Sequence, residues 1–534
     1  MSDRARALAW TLVAIVLVTM AHAWKTSARA RRTNARRIIE RVWNRRKMLD
    51  DARGTTAGRA RGADRVGRLR VIGFYHPAHA DGGGGERVLF AAIASAQRDA
   101  KRRSAEAEAS GRSSESARVA FVVYASAPDM GARGDRVVDG ADVVRRAKER
   151  FGVELDDDVV VVRLRNERYS RAENYRWCTI ARQFLGSAFL GWEALWAFTP
   201  DVFVDTVGHA ATYPLARYVF GCETAAYVHY PTVSTDMIDR VAAGRVMYNN
   251  SGRFAASKFL TGLKLVYYRL FAVAYRWCGR ACACVMVNSS WTKAHIDTLW
   301  GVDAKIVYPP CNVEDLSTIP LTRPLLDANG AAVKKDKASI RVVSVGQFRP
   351  EKAHLVQIAA WKALKKMKNR STNIENAILV FVGGCRDKAD RERLADLKQS
   401  VKDLELEDSV QFHVDAPYDV VRRELSRASI GLHAMLDEHF GICVVEYMAA
   451  GAIPVAHASG GPLLDIIRDV PKGVTGFTAD TPQAFAEILE HVIMMRRAER
   501  EEIAGRARER SKLFTEANFR ESFINALVNA GIWM

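Results

Sequence analysis

At 534 residues the chain can form two to four domains, and its apolar content is that of an ordinary globular protein. An excess of 79 Lys and Arg over 61 Asp and Glu gives a net charge of +18, which by itself admits nucleic acid, an anionic membrane or a solvated surface. Eight scattered cysteines, at 178, 222, 278, 282, 284, 311, 385 and 443, frame no disulfide scaffold.

The first predicted element is a membrane anchor. "ALAWTLVAIVLVTMAHAW", residues 7–24, has no charged side chain and is just long enough to span. "AHA" at 21–23 resembles a signal cleavage site, but the apolar run is long for a signal and the chain after it is strongly basic, which favours a retained anchor. Between Lys25 and Arg70, 16 Lys/Arg stand against 4 Asp/Glu, so 12 of the 18 net charges lie in one short stretch. That stretch reads as a linker held in the cytosol by the positive-inside rule and lying against anionic headgroups.

A strand and a helix then flank "GFYHPAHADGGGGERVLF", residues 73–90. Glycine next to a helix start suits close approach of a phosphate, or simply a tight turn. A P-loop would close on Gly-Lys-Ser/Thr, whereas Gly85 is followed by Glu86 and Arg87, and the spacing of the dinucleotide fingerprint also fails. The charged, low-complexity segment 99–118 reads as a surface loop.

Apolar β-branched runs alternate with helical stretches through "RVIGFY", "VAFVVYA", "DVVVVRL", "DVFVDTVG", "TAAYVHYP" and "ACVMVNSS". A second series follows near 340: "IRVVSVG", "AILVFVGG", "SVQFHVD", "IGLHAM" and "AIPVAHA". This alternation predicts two tandem α/β domains with parallel sheets. The expected division is anchor and linker over 1–69, a first domain over 70–312, a polar linker over 313–339, a second domain over 340–505 and a helical segment over 506–534.

Several stretches invite other readings. "LDDDVVVV", 155–162, imitates an Asp-x-Asp metal motif but precedes its strand, so a solvated loop is expected. "CGRACAC", 278–284, matches no zinc spacing. The apolar segments 184–198 and 259–277 are too interrupted to span, the second by Lys264, Arg269 and Arg276. They suit the membrane interface or, alternatively, the core.

The most informative stretch is "DEHFGICVVEYMAAGAIPVAHASGGPLLDII", residues 437–467. Two glutamates suggest glycoside hydrolysis at first sight. However, Glu438 falls in a loop and Glu446 inside the helix from about Ile442 to Ala450, so the pair brackets a helix N-terminus whose N–H groups suit an anion. Carboxylates for sugar hydroxyls beside N–H groups for a diphosphate describe a sugar-nucleotide site. "VGQFRPEKAH", 345–354, adds Arg349 and Lys352, cations able to neutralise a diphosphate leaving group.

Together with "WEALWAFTPDVFVDT", "YVHYPTVSTDM", "VNSSWT" and "YPPCNVE", these blocks resemble the retaining glycosyltransferases of family four. They are most similar to the eukaryotic α-1,2-mannosyltransferases of asparagine-linked glycosylation, from about residue 70 to 530. The resemblance implies an α/β GT-B fold, two facing Rossmann-like domains behind an N-terminal transmembrane anchor. It implies transfer of mannose from GDP-mannose, with retention and in α-1,2 linkage, to dolichol-diphosphate-linked Man(3)GlcNAc(2). Two successive additions would give Man(5)GlcNAc(2), on the cytosolic face of the endoplasmic reticulum membrane. Another lipid-directed GT-B enzyme with a different donor or acceptor is the alternative. No cofactor, metal or nucleic acid is implied, and other mannosyltransferases of the pathway are candidate partners.

Carried over residue by residue, the resemblance gives Glu438 the mannose hydroxyls and Glu446 the ribose. It gives the backbone of Phe440, Gly441 and Ile442, with Lys352, the diphosphate. The family arginine is replaced by Gln347, so its role passes to Arg349. Gly83, Gly84 and Gly85 fall on the first-domain loop near the reaction centre, and His229 on a histidine expected near the donor mannose, although a histidine at a strand end is often structural.

Overall fold

The apolar runs form two sheets, parallel apart from one antiparallel edge strand, Val137–Asp139, in the first. A computed structural model describes residues 26–27, 30–44, 69–78, 83–111, 118–126, 135–175, 177–234, 237, 258–323, 327, 331, 339–367 and 371–533. The expected anchor at 7–24, and residues 45–68 of the expected basic linker, lie outside them. The chain divides into two compact units: Met1–Val287 with Thr292–Lys305 and Arg520–Met534, and Asn288–Trp291 with Ile306–Phe519.

Unit 1 carries an eight-stranded sheet in the order β3-β4-β2-β1-β5-β6-β7-β8. Its strands are β1 Arg70–Tyr75, β2 Val119–Ser126, β3 Val137–Asp139, β4 Val160–Leu164, β5 Val202–Asp205, β6 Glu223–Val228, β7 Cys284–Val287 and β8 Lys305–Ile306. Central β1 pairs in parallel with β2 (Arg70↔Val119) and with β5 (Ile72↔Val202). Helices cover both faces of such a sheet, which is why its strands read as unbroken Val, Ile and Phe.

Two expectations for this unit are corrected. Residues 99–109 are not a loop: the helix Gly84–Ala109 runs through them. Asp99 pairs there with Arg102 and Arg103, and Arg102 with Glu106, at the three- and four-residue spacings that support an exposed helix. The start of the basic stretch is also folded, as a helix over 30–44 with Ala35 and Ile39 in the core. Arg36 of that helix pairs with Asp201 at 3.0 Å, and Trp43 Nε1 donates to the Asp158 carbonyl.

The segments at 184–198 and 259–277 are both helical, the first up to Ala197 in Thr179–Ala197, with Phe198 as its extended C-cap, and the second within Lys258–Arg280. They pack on each other through Phe184 and Phe271, with ring centroids 5.1 Å apart, and through Tyr267, whose hydroxyl accepts from Ala181 N. Their outer faces expose Leu185, Phe189, Trp192 and Trp196, and Leu263, Val266, Leu270, Val273 and Trp277. Each helix therefore has a core face and an exposed apolar stripe. No helix among the described residues is long and apolar enough to cross a membrane.

Unit 2 carries six parallel strands in the order β11-β10-β9-β12-β13-β14. They are β9 Arg341–Val345, β10 Ile378–Gly383, β11 Val410–Val414, β12 Ile430–His433, β13 Ile453–His457 and β14 Phe477–Ala479. The expected polar linker at 313–339 starts inside this unit, since Val313, Leu316 and Ile319 lie in its core. The expected C-terminal segment is divided: the helix Arg497–Ser511 belongs to unit 2, and Arg520–Met534 to unit 1.

Both sheets reverse their strand order at one point, between β1 and β5 in unit 1 and between β9 and β12 in unit 2. Ligands of open parallel sheets bind at the carboxyl ends of the strands flanking such a point.

Candidate functional site

In unit 2 the loops leaving β9 and β12 bring three predicted and unpredicted groups together. After β9 the chain runs Gly346–Gln347–Phe348–Arg349 into a short turn of 3₁₀ helix, Pro350–Lys352. Ala353 then takes φ +51° and starts the helix His354–Lys366. The Lys352 stem passes over Gly346, and its Nζ donates to Glu438 Oε2 at 2.7 Å.

Glu438 follows β12, beyond Asp437 at φ +53°. Its Oε2 also accepts from His433 Nε2 at 3.0 Å, and His433 Nδ1 lies 3.4 Å from Cys443 Sγ. Burial opposes all three charges, but the pairing outweighs it. Lys352, His433 and His439 hold the Glu438 carboxyl well below the usual range. Against burial, Cys443 and Glu438 lift His433 to about 9, and Glu438, Cys443 and Glu351 raise Lys352.

The loop continues through Phe440 to Gly441, whose φ of +103° favours glycine, and the helix Ile442–Ala450 starts there with no side-chain cap. Its first-turn N–H groups therefore face out of the helix end, along with its partial positive charge. The Phe440 ring turns away into an aromatic cluster with Tyr308 and Phe514, leaving only its backbone for a ligand. Gly461 makes this loop possible: a Cβ there would lie 2.5 Å from Phe440 Cα, and its N–H donates to the Glu438 carbonyl at 2.8 Å.

Glu446 lies half-buried in the second turn of that helix. Burial, then Asp315, then Glu446 raise the Tyr418 phenol, which places the Glu446 charge toward Tyr418. Arg349 is turned to Glu351 at 2.6 Å, so the structure does not group it with Lys352 and Glu438. Gln347 is half-buried in the same loop.

In unit 1, Gly83 precedes the helix Gly84–Ala109, and its N–H donates to Glu86 Oε2 at 3.0 Å. Gly83 has φ −105°, and a Cβ there would meet nothing within 4 Å, so neither backbone strain nor crowding within unit 1 requires glycine. A Cβ at Gly85 would sit 3.6 Å from both His229 Nε2 and His76 Cε1. Thr206 ties these histidines: its hydroxyl bonds His76 Nδ1 at 2.9 Å and its carbonyl accepts from His229 Nε2 at 3.1 Å.

Sequence reasoning missed His433, Cys443 and His76 as parts of these sites. His433 and His76 sit at the carboxyl ends of strands beside a reversal of strand order, which was the available signal.

Residues 69–300 match the family described as ALG11 mannosyltransferase N-terminus, and residues 327–510 that described as glycosyl transferases group 1. A Homo sapiens protein named GDP-Man:Man(3)GlcNAc(2)-PP-Dol alpha-1,2-mannosyltransferase is 40% identical over 461 residues, 86% of each chain. The chain belongs to the ALG11 mannosyltransferase family. Members of the same name from Xenopus tropicalis and Dictyostelium discoideum are 37% and 38% identical. They cover 91% and 86% of this chain, and 91% and 85% of their own. The ALG11 fold here is the two-unit α/β fold of GT-B enzymes. A sucrose-phosphate synthase from Thermosynechococcus elongatus has TM-score 0.55 at 16% identity, covering 85% of this chain and 96% of its own. An alpha,alpha-trehalose 6-phosphate synthase from Burkholderia multivorans has TM-score 0.57 at 11% identity, covering 87% and 99%.

Proposed function

We propose that the chain transfers mannose from GDP-mannose, with retention and in α-1,2 linkage, to dolichol-diphosphate-linked Man(3)GlcNAc(2), and adds two mannoses in succession. The observation that carries this reading is the Lys352–Glu438 pair beside an uncapped helix start, in a chain 40% identical to an enzyme named for that reaction. Lys352 and the backbone N–H groups of Phe440, Gly441 and Ile442 at the helix start receive the diphosphate, where charge grows as the glycosidic bond breaks. Glu438 receives mannose hydroxyls and Glu446 the ribose. Arg349 is a second cation for the diphosphate once released from Glu351.

No side chain is assigned as a nucleophile. The acceptor hydroxyl attacks from the face that the diphosphate leaves, and the departing phosphate takes its proton, so catalysis rests on positioning and electrostatics. The open space at Gly83, two residues before Gly85 with His76 and His229 beside it, suits a carbohydrate at the first-unit loop. No metal is required in this reading, and a chelator leaves the rate unchanged.

The lipid-linked acceptor places the enzyme at the endoplasmic reticulum membrane, with both units in the cytosol behind the 7–24 anchor. The sequons at Asn249, Asn288 and Asn369 then stay unglycosylated. The test is transfer from GDP-mannose and from UDP-glucose to a synthetic lipid-linked trimannosyl acceptor. GDP-mannose-dependent formation of an α-1,2 product is expected. Transfer from UDP-glucose alone, or no transfer, refutes the assignment.

A further inference from the structure

One oxygen of Glu438 serves two cationic groups that differ in freedom. Lys352 reaches it at 2.7 Å on a flexible four-carbon stem that lies over Gly346. His433 reaches it at 3.0 Å from the last residue of β12, and is buried. Its ring is fixed at both nitrogens, by Glu438 at Nε2 and by the Cys443 thiol at Nδ1. A lysine that meets a diphosphate must loosen its hold on Glu438, and a buried carboxylate left without a partner is strongly destabilised.

We propose that His433 is the positioning residue of the donor site, holding Glu438 in place while Lys352 turns to the diphosphate of GDP-mannose. This rests on the reading of Lys352 as the diphosphate cation. The groups facing His433 are Glu438, Cys443 and Lys352, with His354 and His457 beyond them, both of which its charge helps to keep neutral. Cys443 and Glu438 favour the imidazolium over burial and Lys352, so both ring nitrogens carry protons at neutral pH and both bonds persist together. In this arrangement Glu438 has one permanent partner and one that the donor can borrow.

The proposal is tested by equilibrium binding of GDP to the full-length protein in detergent, a measurement independent of turnover. His433→Phe should bind GDP about tenfold more weakly, because among the described residues Lys352 is then the one cation still hydrogen-bonded to Glu438 and stays there. His433→Gln retains a neutral N–H toward Glu438 and should lose about threefold. In a Glu438→Gln background, where there is no buried carboxylate to hold Lys352, His433→Phe should change GDP affinity less than about twofold. Thermal melts establish that each variant is folded, and His433→Gln carries the test if His433→Phe is not. Wild-type affinity in both His433 variants, or an undiminished penalty in the Glu438→Gln background, overturns the proposal. Normal GDP binding by Lys352→Ala removes the underlying assignment of Lys352, a separate result visible in the same titrations.

Discussion

Lys352 Nζ lies 2.7 Å from Glu438 Oε2, a bond that joins the loops leaving β9 and β12 across the point where strand order reverses. The two residues are 86 apart in sequence, and the parallel sheet brings them together. Because Glu438 keeps His433 when Lys352 is removed, the site can lose the lysine without leaving the carboxylate bare. Lys352→Ala should therefore lower kcat by about 2–4 kcal/mol of transition-state stabilisation, as for loss of an oxyanion donor, and leave the fold intact. Steady-state kinetics with a thermal melt measures both. Near-normal kcat would take Lys352 out of the site.

Glu446 is predicted to behave differently. A ribose contact is made equally before and during transfer, so Glu446→Gln should raise the GDP-mannose KM with little change in kcat. A drop in kcat at saturating donor would instead assign Glu446 to the reacting sugar.

Much of this arrangement was legible in the sequence, because it depends on local signals. The helix at Ile442–Ala450 was marked by Gly441 before it and Gly451 after it, and both take positive φ. The strand series was legible because buried parallel strands are unbroken apolar runs. What was not legible depends on tertiary partners. Arg349 and Lys352 look equivalent at a spacing of three, yet Glu351 engages one and Glu438 the other. His433 resembles any strand-end histidine until the loop folds Glu438 and Cys443 back on it. The charged run after Asp99 resembles a loop because composition hides the spacing of its ion pairs.

The pH dependence of stability at His433 has a definite sign. Its folded pKa of about 9 lies above the ordinary value of 6.5, so its contribution is complete below pH 6.5 and disappears as the pH rises through 9. The melting temperature of the wild type should exceed that of His433→Gln by about 3 °C or more at pH 6, with the gap closing by pH 9.5. A constant gap across that range would mean that His433 acts there as a neutral residue.

Trp533 closes unit 1 near the end of the chain. Its indole is buried, and its Nε1 donates to Asp99 Oδ2 at 2.5 Å, beside the Ile532 carbonyl held by Arg70. Asp99 retains Arg102 and Arg103 if the indole is lost, so the cost is mainly the cavity. Trp533→Ala should destabilise by about 3–5 kcal/mol in denaturant titrations, and Trp533→Phe by much less. Equal, small effects for both would show that the C-terminal residues dock without supporting the unit.

The exposed stripes on unit 1 give a prediction about the membrane. Leu263, Val266, Leu270, Val273 and Trp277 recur at spacings of three and four on one face of Lys258–Arg280, and Leu270 and Val273 are each 68% exposed. The opposite face, with Tyr268, Phe271 and Tyr275, is buried, so the outer stripe does not form the core. An apolar face flanked by Lys264, Arg269 and Arg276 suits the boundary between acyl chains and anionic headgroups. A chain lacking residues 1–24 should therefore remain partly bound to membranes and resist low-salt extraction. Adding Leu270→Glu and Val273→Glu should release it without lowering its melting temperature, because neither side chain packs inside. A truncated chain that is already fully soluble at low ionic strength would leave the 7–24 segment as the whole attachment, and the stripe without a membrane role.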